Sequence, residues 1–332
     1  MQLTSEDASS HSVSPPSISV CMPASRAHAW FRAALGSVLA QTERDFEVIV
    51  MDDSGGSLRE VVDAFGDRRI RYHSNSVALG FARNHCRAID EARGEYITFL
   101  HDDDIWEPEF LAETRAVMDR HPEVGYVLAA AIEIDENDRE LCRRPMPMRN
   151  GIQEDPLSHI LAPHFMMLLP SLSMFRRTAL ADNARPWPDV IAADVTMYLD
   201  LLCAGWKIYH LDRTLVRYRV HKSQIGNDAL AHRHAVVTVW ERYSFSQPQH
   251  ETKRRERLSY GLVARAGAHL RRYEVQEARQ DLLRARQITP SVVDSRWLLM
   301  RGLSSLPGAI NIAQKVWALF HDPFKNRHRH NG

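Results

Sequence analysis

Across residues 17–131, five short apolar, β-prone runs alternate with segments of helical period, and this alternation limits the fold more than any other feature of the chain. Residues 17–21 read as a buried strand closed by Pro23, and Phe31, Ala34, Leu35, Val38 and Leu39 then recur at helical spacing. Residues 46–51 form a second strand, followed by the acidic, glycine-rich turn Asp52-Asp53-Ser54-Gly55-Gly56. Ser57 reads as the N-cap of a helix that places Leu58, Val61, Val62 and Phe65 on one face. A third strand at 70–73 precedes a helix over 80–92, with Ala82, Cys86, Ile89 and Ala92 inward. The fourth strand spans 96–100, Pro108 opens a helix that ends before His121-Pro122, and 125–131 is the fifth strand. The expected fold class is therefore α/β, a mostly parallel sheet with helices on both faces.

Ligands of such sheets bind beyond the carboxyl ends of the strands, where residues 23–26, 52–53 and 102–104 all fall. The third of these loops is strongly acidic. Asp102, Asp103 and Asp104 follow one another directly after a buried strand, and adjacent carboxylates repel unless a cation or donors neutralise them. Taken alone, such a triplet is most often a solvated turn. Beside two other loops of one crevice it suits a hard divalent cation, because Mg²⁺ and Mn²⁺ take oxygen ligands together with substrate phosphates. The chain has no G-x-G-x-x-G after its first strand and no G-x-x-x-x-G-K-[ST], which excludes the usual dinucleotide and P-loop fingerprints.

Composition sorts the remaining classes. Net charge is zero over 332 residues, yet residues 233–332 hold 18 Lys and Arg against 8 Asp and Glu, so the tail is basic and the rest acidic. That tail lacks interleaved aromatics or a recognised fold for nucleic acid, so no nucleic-acid partner is expected. Cys21, Cys86, Cys142 and Cys203 are scattered without a C-x-x-C pair, which fits a reducing, cytoplasmic setting and no structural zinc. Residues 1–16 read as a disordered leader, and no apolar run approaches the ~20 residues of a membrane span.

Several ordered motifs carry a resemblance. Gln41-Thr42, Asp45 through Asp53, Gly80-Phe81-Ala82-Arg83-Asn84, Gly94-Glu95-Tyr96-Ile97, His101 through Pro108 and Val216-Arg217-Tyr218-Arg219-Val220-His221 resemble the family 2 glycosyltransferases, inverting enzymes of the GT-A fold. The resemblance spans about residues 17–225. It implies a nucleotide-diphosphate sugar donor (UDP-, GDP- or dTDP-sugar), a Mn²⁺ or Mg²⁺ cofactor, and a glycan, lipid-linked or small-molecule acceptor. Among the residues, it implies donor contacts from Pro23, Ser25, Asp53, Arg83 and Asp102, with Asp53 toward the base and Asp102 toward the ribose. Asp103 and His221 fall at its metal positions, and Asp194 at the general base. For Asp104 it implies a supporting role in the turn, and for Arg83 an ion pair is the competing reading. Asp189 and Asp200 are competing bases, the latter expected to be exposed or paired.

The chain also departs from the family pattern. Ser25-Arg26 replaces a Tyr-Asn pair that would stack on the base, His101 replaces the first acid of an Asp-x-Asp pair, and Ala193 replaces one acid of a Glu-Asp pair. These changes motivate a second reading, a catalytically silent relative acting as a binding or scaffold subunit. A sugar-nucleotidyltransferase is a third, disfavoured because the glycine-rich triphosphate loop is missing.

Beyond the fifth strand the pattern is less regular. Residues 132–160 are a polar excursion expected over the acceptor side, and 164–175 an apolar stretch suited to core or cleft wall. Asp194 precedes a helix over 195–204. The expected organisation is a GT-A domain at 17–230 and a basic helical region at 231–332. In the latter, Ala278, Leu282, Ala285 and Pro290 fit the second helix of one tetratricopeptide-like unit. A last amphipathic helix at 309–320, followed by Lys325, Arg327 and Arg329, could lie on the inner membrane face or dock on protein.

Overall fold

The computed structural model describes residues 15–26, 29–161, 169–181, 187–222, 224 and 229–305. The leader up to residue 14, Met166-Met167-Leu168 of the apolar stretch and the terminal amphipathic helix lie outside the described residues. The expected parallel strands are β1 (Ile18–Ala24), β2 (Phe46–Asp52), β3 (Ile70–Ser74) and β4 (Tyr96–Phe99), in the order β3-β2-β1-β4. Helices α1 (Phe31–Leu39), α2 (Arg59–Asp63) and α3 (Phe81–Glu91) make the crossovers. Every residue of β1 and β2 is buried, as strands covered on both faces require.

The chain continues through β5 (Ile105–Trp106), α4 (Phe110–Arg120), β6 (Val124–Ile134), β7 (Glu140–Arg143), β8 (Gly151–Ile152) and α5 (Pro156–Ile160). There follow β9 (Ser173–Arg176), α6 (Arg177–Ala181), α7 (Asp194–Cys203) and β10 (Lys207–Arg219). The sheet runs β3-β2-β1-β4-β9-β6-β10-β5, with β9 antiparallel between β4 and β6 and β10 parallel to β6. The apolar stretch ending at Phe175 is thus partly a central strand.

Local differences from the sequence expectation have clear causes. Pro23 does not close β1, which runs on to Ala24. The Cys21 carbonyl accepts from Leu100 N–H and the Ala24 carbonyl from Asp53 N–H, so Pro23 faces the β4 side, where β4 has already ended. Its missing donor costs nothing there. Ser57 does not cap α2, whose N-cap is Leu58 with no side-chain capping bond; Asp52 braces the turn ahead of it, accepting from Ser54 N–H at 2.7 Å and Leu58 N–H at 3.1 Å. Pro108 lies ahead of α4, which starts at Phe110 after the short β5. Asp194 is the first residue of α7 rather than the residue before it.

Four helices close the described chain: α8 (Ala229–Glu241), α9 (Pro248–Arg271), α10 (Val275–Ile288) and α11 (Ser295–Ser305). Ala278, Leu282 and Ala285 of α10 are buried in the same core as Leu258 and Leu262 of α9, and Arg265 grips Asp281 through two bonds of 2.7 and 2.8 Å. The helices dock on the sheet domain through polar pins. Tyr243 Oη donates to Asp200 at 2.8 Å, which answers the question of Asp200 by pairing it, and His250 Nε2 lies 3.0 Å from Asp155. Among the described residues no helix is long and apolar enough to cross a membrane.

One glycine is set by close approach. A Cβ on Gly94 would lie 2.6 Å from Ser19 N and 2.7 Å from the Ile18 carbonyl carbon, while Gly94 N–H already donates to Ser19 Oγ at 2.8 Å. Gly94→Ala is therefore expected to lower unfolding free energy by about 1–3 kcal/mol, because backbone cannot yield as a side chain does. Urea unfolding checks this, and an unchanged midpoint would refute it.

Candidate active site

The carboxyl ends of β1, β2 and β4 open into a cavity of about 370 Å³, within the ordinary range for small-ligand sites. Pro23, Ala24 and Ser25 from β1 and its following turn, Asp53 after β2, and Phe81, Asn84 and His85 of α3 form one side. His101, Asp102 and Asp103 come from the turn after β4, and Asp194 from the start of α7. Val236, Val239 and Trp240 of α8 and Arg257 of α9 complete the opposite wall. Arg257 is stacked 5.1 Å from the Trp240 ring centre, and burial pulls its pKa down to about 10.

Asp53 is tied into the cavity rim. Its Oδ1 accepts from Leu79 N–H at 2.7 Å and the Asn75 amide at 2.8 Å, and its Oδ2 from Gly80 N–H at 2.8 Å. Gly80 adopts φ +80°, a conformation that favours glycine, so this carboxylate fixes the entry to α3. The Asx turn of this region is made by Asp52, whose Oδ1 accepts from Ser54 N–H.

In the acidic turn each carboxylate has a different environment. Asp102 receives the Ser25 backbone N–H; burial, helped by the Asp103 charge, lifts its pKa to about 7, with Arg26 opposing. Asp103 Oδ2 lies 2.9 Å from His221 Nε2, and its carbonyl accepts from Arg219 Nε at 2.8 Å. Asp104 is fully buried; its Oδ1 accepts from Arg219 N–H at 3.0 Å, and burial drives its pKa well up. The Ser171 hydroxyl opposes that rise, yet Oδ2 is buried with no partner at ordinary hydrogen-bond geometry among the described residues.

That orphan oxygen bears on the metal question. Ligand atoms of His101, Asp103 and Asp104 all lie within 4.8 Å of one another, and carboxylate oxygen with imidazole nitrogen is a suitable donor set for a divalent cation. The residues present fit such an ion. The resemblance puts Asp103 and His221 at its metal positions and leaves His101 open as a further ligand; in the structure His221 Nε2 meets Asp103 Oδ2 with its ring 4.7 Å from Trp30, and the ligand atoms gathered with those of Asp103 are those of His101 and Asp104.

Asp194 is buried at the first turn of α7, and burial raises its pKa to about 7 against the opposing backbone hydrogen bonds. Arg83 does not line the cavity. Its Nη2 lies 2.7 Å from Asp189 on the surface, which binds both the expected donor residue and a competing base.

Three supports of the turn leave little or no local signal in the sequence. Arg219 enters the sequence pattern only as part of the Val216–His221 motif, yet its side chain is fully buried and reaches the Asp103 and Asp135 carbonyls. Ser171 accepts the His101 N–H at 3.1 Å. His85 stands three residues after Ala82 and four before Ile89, so helical phase already places it on the inward face of α3.

The family and the fold are shown by similarity to known proteins. The profile of "Glycosyl transferase family 2" matches residues 19–183, and the chain belongs to that family. An uncharacterized glycosyltransferase of Rickettsia typhi is 24% identical over 232 residues, covering 68% of this chain and 70% of that protein. A UDP-Glc:alpha-D-GlcNAc-diphosphoundecaprenol beta-1,3-glucosyltransferase of Escherichia coli is 39% identical over 90 residues, 27% of this chain and 36% of that one. Among solved structures, S. aureus TarS 1-349 in complex with UDP-GlcNAc superposes with TM-score 0.64 at 17% identity, covering 90% of this chain and 91% of that one. A mannosyltransferase from Pyrobaculum calidifontis in complex with GDP-Man and Mn²⁺ gives TM-score 0.58 at 18% identity, over 94% and 83%. The fold is GT-A, and the protein is a glycosyltransferase.

Proposed function

We propose that this glycosyltransferase is an inverting, metal-dependent, cytoplasmic enzyme that moves a sugar from a nucleotide diphosphate to an acceptor hydroxyl in polysaccharide, glycolipid or related glycoconjugate synthesis. The observation that carries the reading is the meeting of Asp53, Asp102, Asp103 and Asp194 around one cavity. The structural relatives bound to UDP-GlcNAc and to GDP-Man with Mn²⁺ support a nucleotide-sugar donor and a divalent ion, and the E. coli relative supports a glycan-building role.

In this reading the nucleotide lies on the side of β1, β2 and α3, with Pro23, Ser25, Asp53 and Asp102 around the base and ribose. A cation held by His101, Asp103 and Asp104 would supply positive charge to the leaving diphosphate. The acceptor enters from the side of α7, α8 and α9, beside Asp194 and Trp240. Its hydroxyl oxygen forms a bond to the anomeric carbon as the bond from that carbon to the diphosphate breaks. The bonding pair leaves with the phosphate, and the hydroxyl proton passes to the Asp194 carboxylate. Because burial discourages charge on Asp194, this carboxylate is a stronger base than one in water. Helices α8 and α9 then act as part of the acceptor site rather than as a separate module.

Calorimetry with UDP, GDP and dTDP, each with and without Mn²⁺, tests the proposal on wild type and Asp103→Ala. One nucleotide is expected to bind only with Mn²⁺. Loss of an outer-shell partner already costs a metal site 10–100-fold, so removing Asp103 should weaken that binding by about 100-fold or more. Failure of every nucleotide to bind would instead favour the silent scaffold.

A further inference from the structure

We propose that His85 sets the tautomer of His101, so that His101 turns the lone pair of Nδ1 toward the cation shared with Asp103 and Asp104, and that the resulting nitrogen-containing site favours Mn²⁺ over Mg²⁺. The inference rests on reading this cluster as a divalent-metal site.

A backbone carbonyl fixes the first proton. His85 Nδ1 lies 2.8 Å from the Phe81 carbonyl oxygen, which can only accept, so Nδ1 carries the hydrogen. The ring is buried, with the Phe81 ring centre at 4.2 Å and that of Phe99 at 5.5 Å. In that apolar enclosure the imidazole is neutral, and its Nε2 therefore offers a lone pair. That atom lies 3.4 Å from His101 Nε2. Two nitrogens this close cannot both bring a proton, so His101 Nε2 is the donor. A neutral His101 protonated at Nε2 has its remaining lone pair on Nδ1.

His101 is held on its other side as well. Its backbone N–H donates to Ser171 Oγ at 3.1 Å, and its ring stands roughly edge-on to His85 at 81°. The ligand atoms of Asp103 and Asp104 lie within 4.8 Å of its own. The relay Phe81 carbonyl, His85, His101 is thus the kind of outer support that fixes tautomer and ring orientation in histidine metal sites. Mg²⁺ demands near-ideal octahedral oxygen coordination and gives up its waters reluctantly, so an imposed imidazole nitrogen beside two carboxylates penalises it more than Mn²⁺.

The experiment uses the full chain loaded with Mn²⁺. Pulsed electron paramagnetic resonance is expected to show hyperfine coupling from a directly bound nitrogen, and His101→Asn should abolish it. In calorimetry with the metal alone, His85→Leu should weaken Mn²⁺ binding by about 10–100-fold and leave Mg²⁺ binding little changed. His85→Gln, whose amide oxygen can accept at the place of Nε2, should restore Mn²⁺ binding. Mn²⁺ binding without nitrogen coupling in wild type would overturn the proposal even if His85→Leu fails to fold, as would a folded His85→Leu that binds Mn²⁺ like wild type. A wild-type protein that binds no divalent ion would remove the metal reading itself, and this inference with it.

Discussion

Asp194→Asn is expected to lower kcat by on the order of 10²–10⁴-fold, the usual contribution of a positioned general base, while Mn²⁺-dependent nucleotide binding stays as in wild type. The substitution keeps the shape of the side chain at the first turn of α7 and removes only its capacity to take a proton. Steady-state assay with the bound nucleotide's sugar donor measures the first effect and calorimetry the second. A loss of both together would mean that Asp194 supports the site structurally.

The same residue makes a pH-dependent prediction. Its pKa is raised by burial to about 7, above the ~3.9 of an unfolded aspartate. Folded protein therefore holds this proton over the window from about pH 4 to about 7, where the unfolded chain has released it. The unfolded state binds fewer protons there, so this group's contribution to stability falls as pH rises through the window and levels off above it. Asp194→Asn should lack that slope and gain most, relative to wild type, above pH 7. For activity the sign is reversed: kcat/KM should climb through about pH 7 as the base ionises, and that rise should vanish in the variant. A profile flat from pH 5 to 8 in wild type would assign the proton to another group.

The second large effect is structural. Arg219→Met should cost about 2–5 kcal/mol of stability, since it leaves two carbonyl acceptors without their donor and removes a fully buried cation from its setting. Arg219 Nε and Nη1 reach the carbonyls of Asp103 at 2.8 Å and Asp135 at 2.9 Å, Nη2 lies 2.5 Å from Asp138, and the guanidinium sits 5.0 Å from the Trp30 ring centre. This one side chain thereby ties the acidic turn to the end of β6. Denaturant unfolding reads the stability loss, and weakened Mn²⁺-dependent nucleotide binding should accompany it because Asp103 loses its anchor. Unfolding at the wild-type midpoint would show that the network contributes little.

How far the site was legible in the chain depends on the kind of signal each residue leaves. Asp53, Asp102 and Asp103 end strands whose apolar runs are local and unmistakable, and a parallel sheet must deliver such ends to one edge. Asp194 was placed by resemblance, since its neighbouring acid is replaced by Ala193 and nothing local marks it. For Arg83 a helix start suits an anion, but the competing ion pair could not be given a partner from the sequence, because Asp189 lies 106 residues away. His221 and His101 could not be ranked as ligands from spacing, because the choice turns on which ring faces the cavity and which stands behind Asp103.

By itself the sequence determined the alternation of strands and helices in the first half, the acidic edge of the sheet, and membership of a glycosyltransferase family. These follow from apolar periodicity and from short ordered motifs, which are properties of contiguous residues. Only the tertiary structure decided that β9 enters antiparallel between β4 and β6, that Arg219 is buried, and that His85 stands behind His101. Each of these joins residues far apart in the chain, or buries a polar group that composition would assign to the surface. Such burial is tolerated only where distant carbonyls, carboxylates and rings happen to meet it, and that meeting is a property of the folded chain.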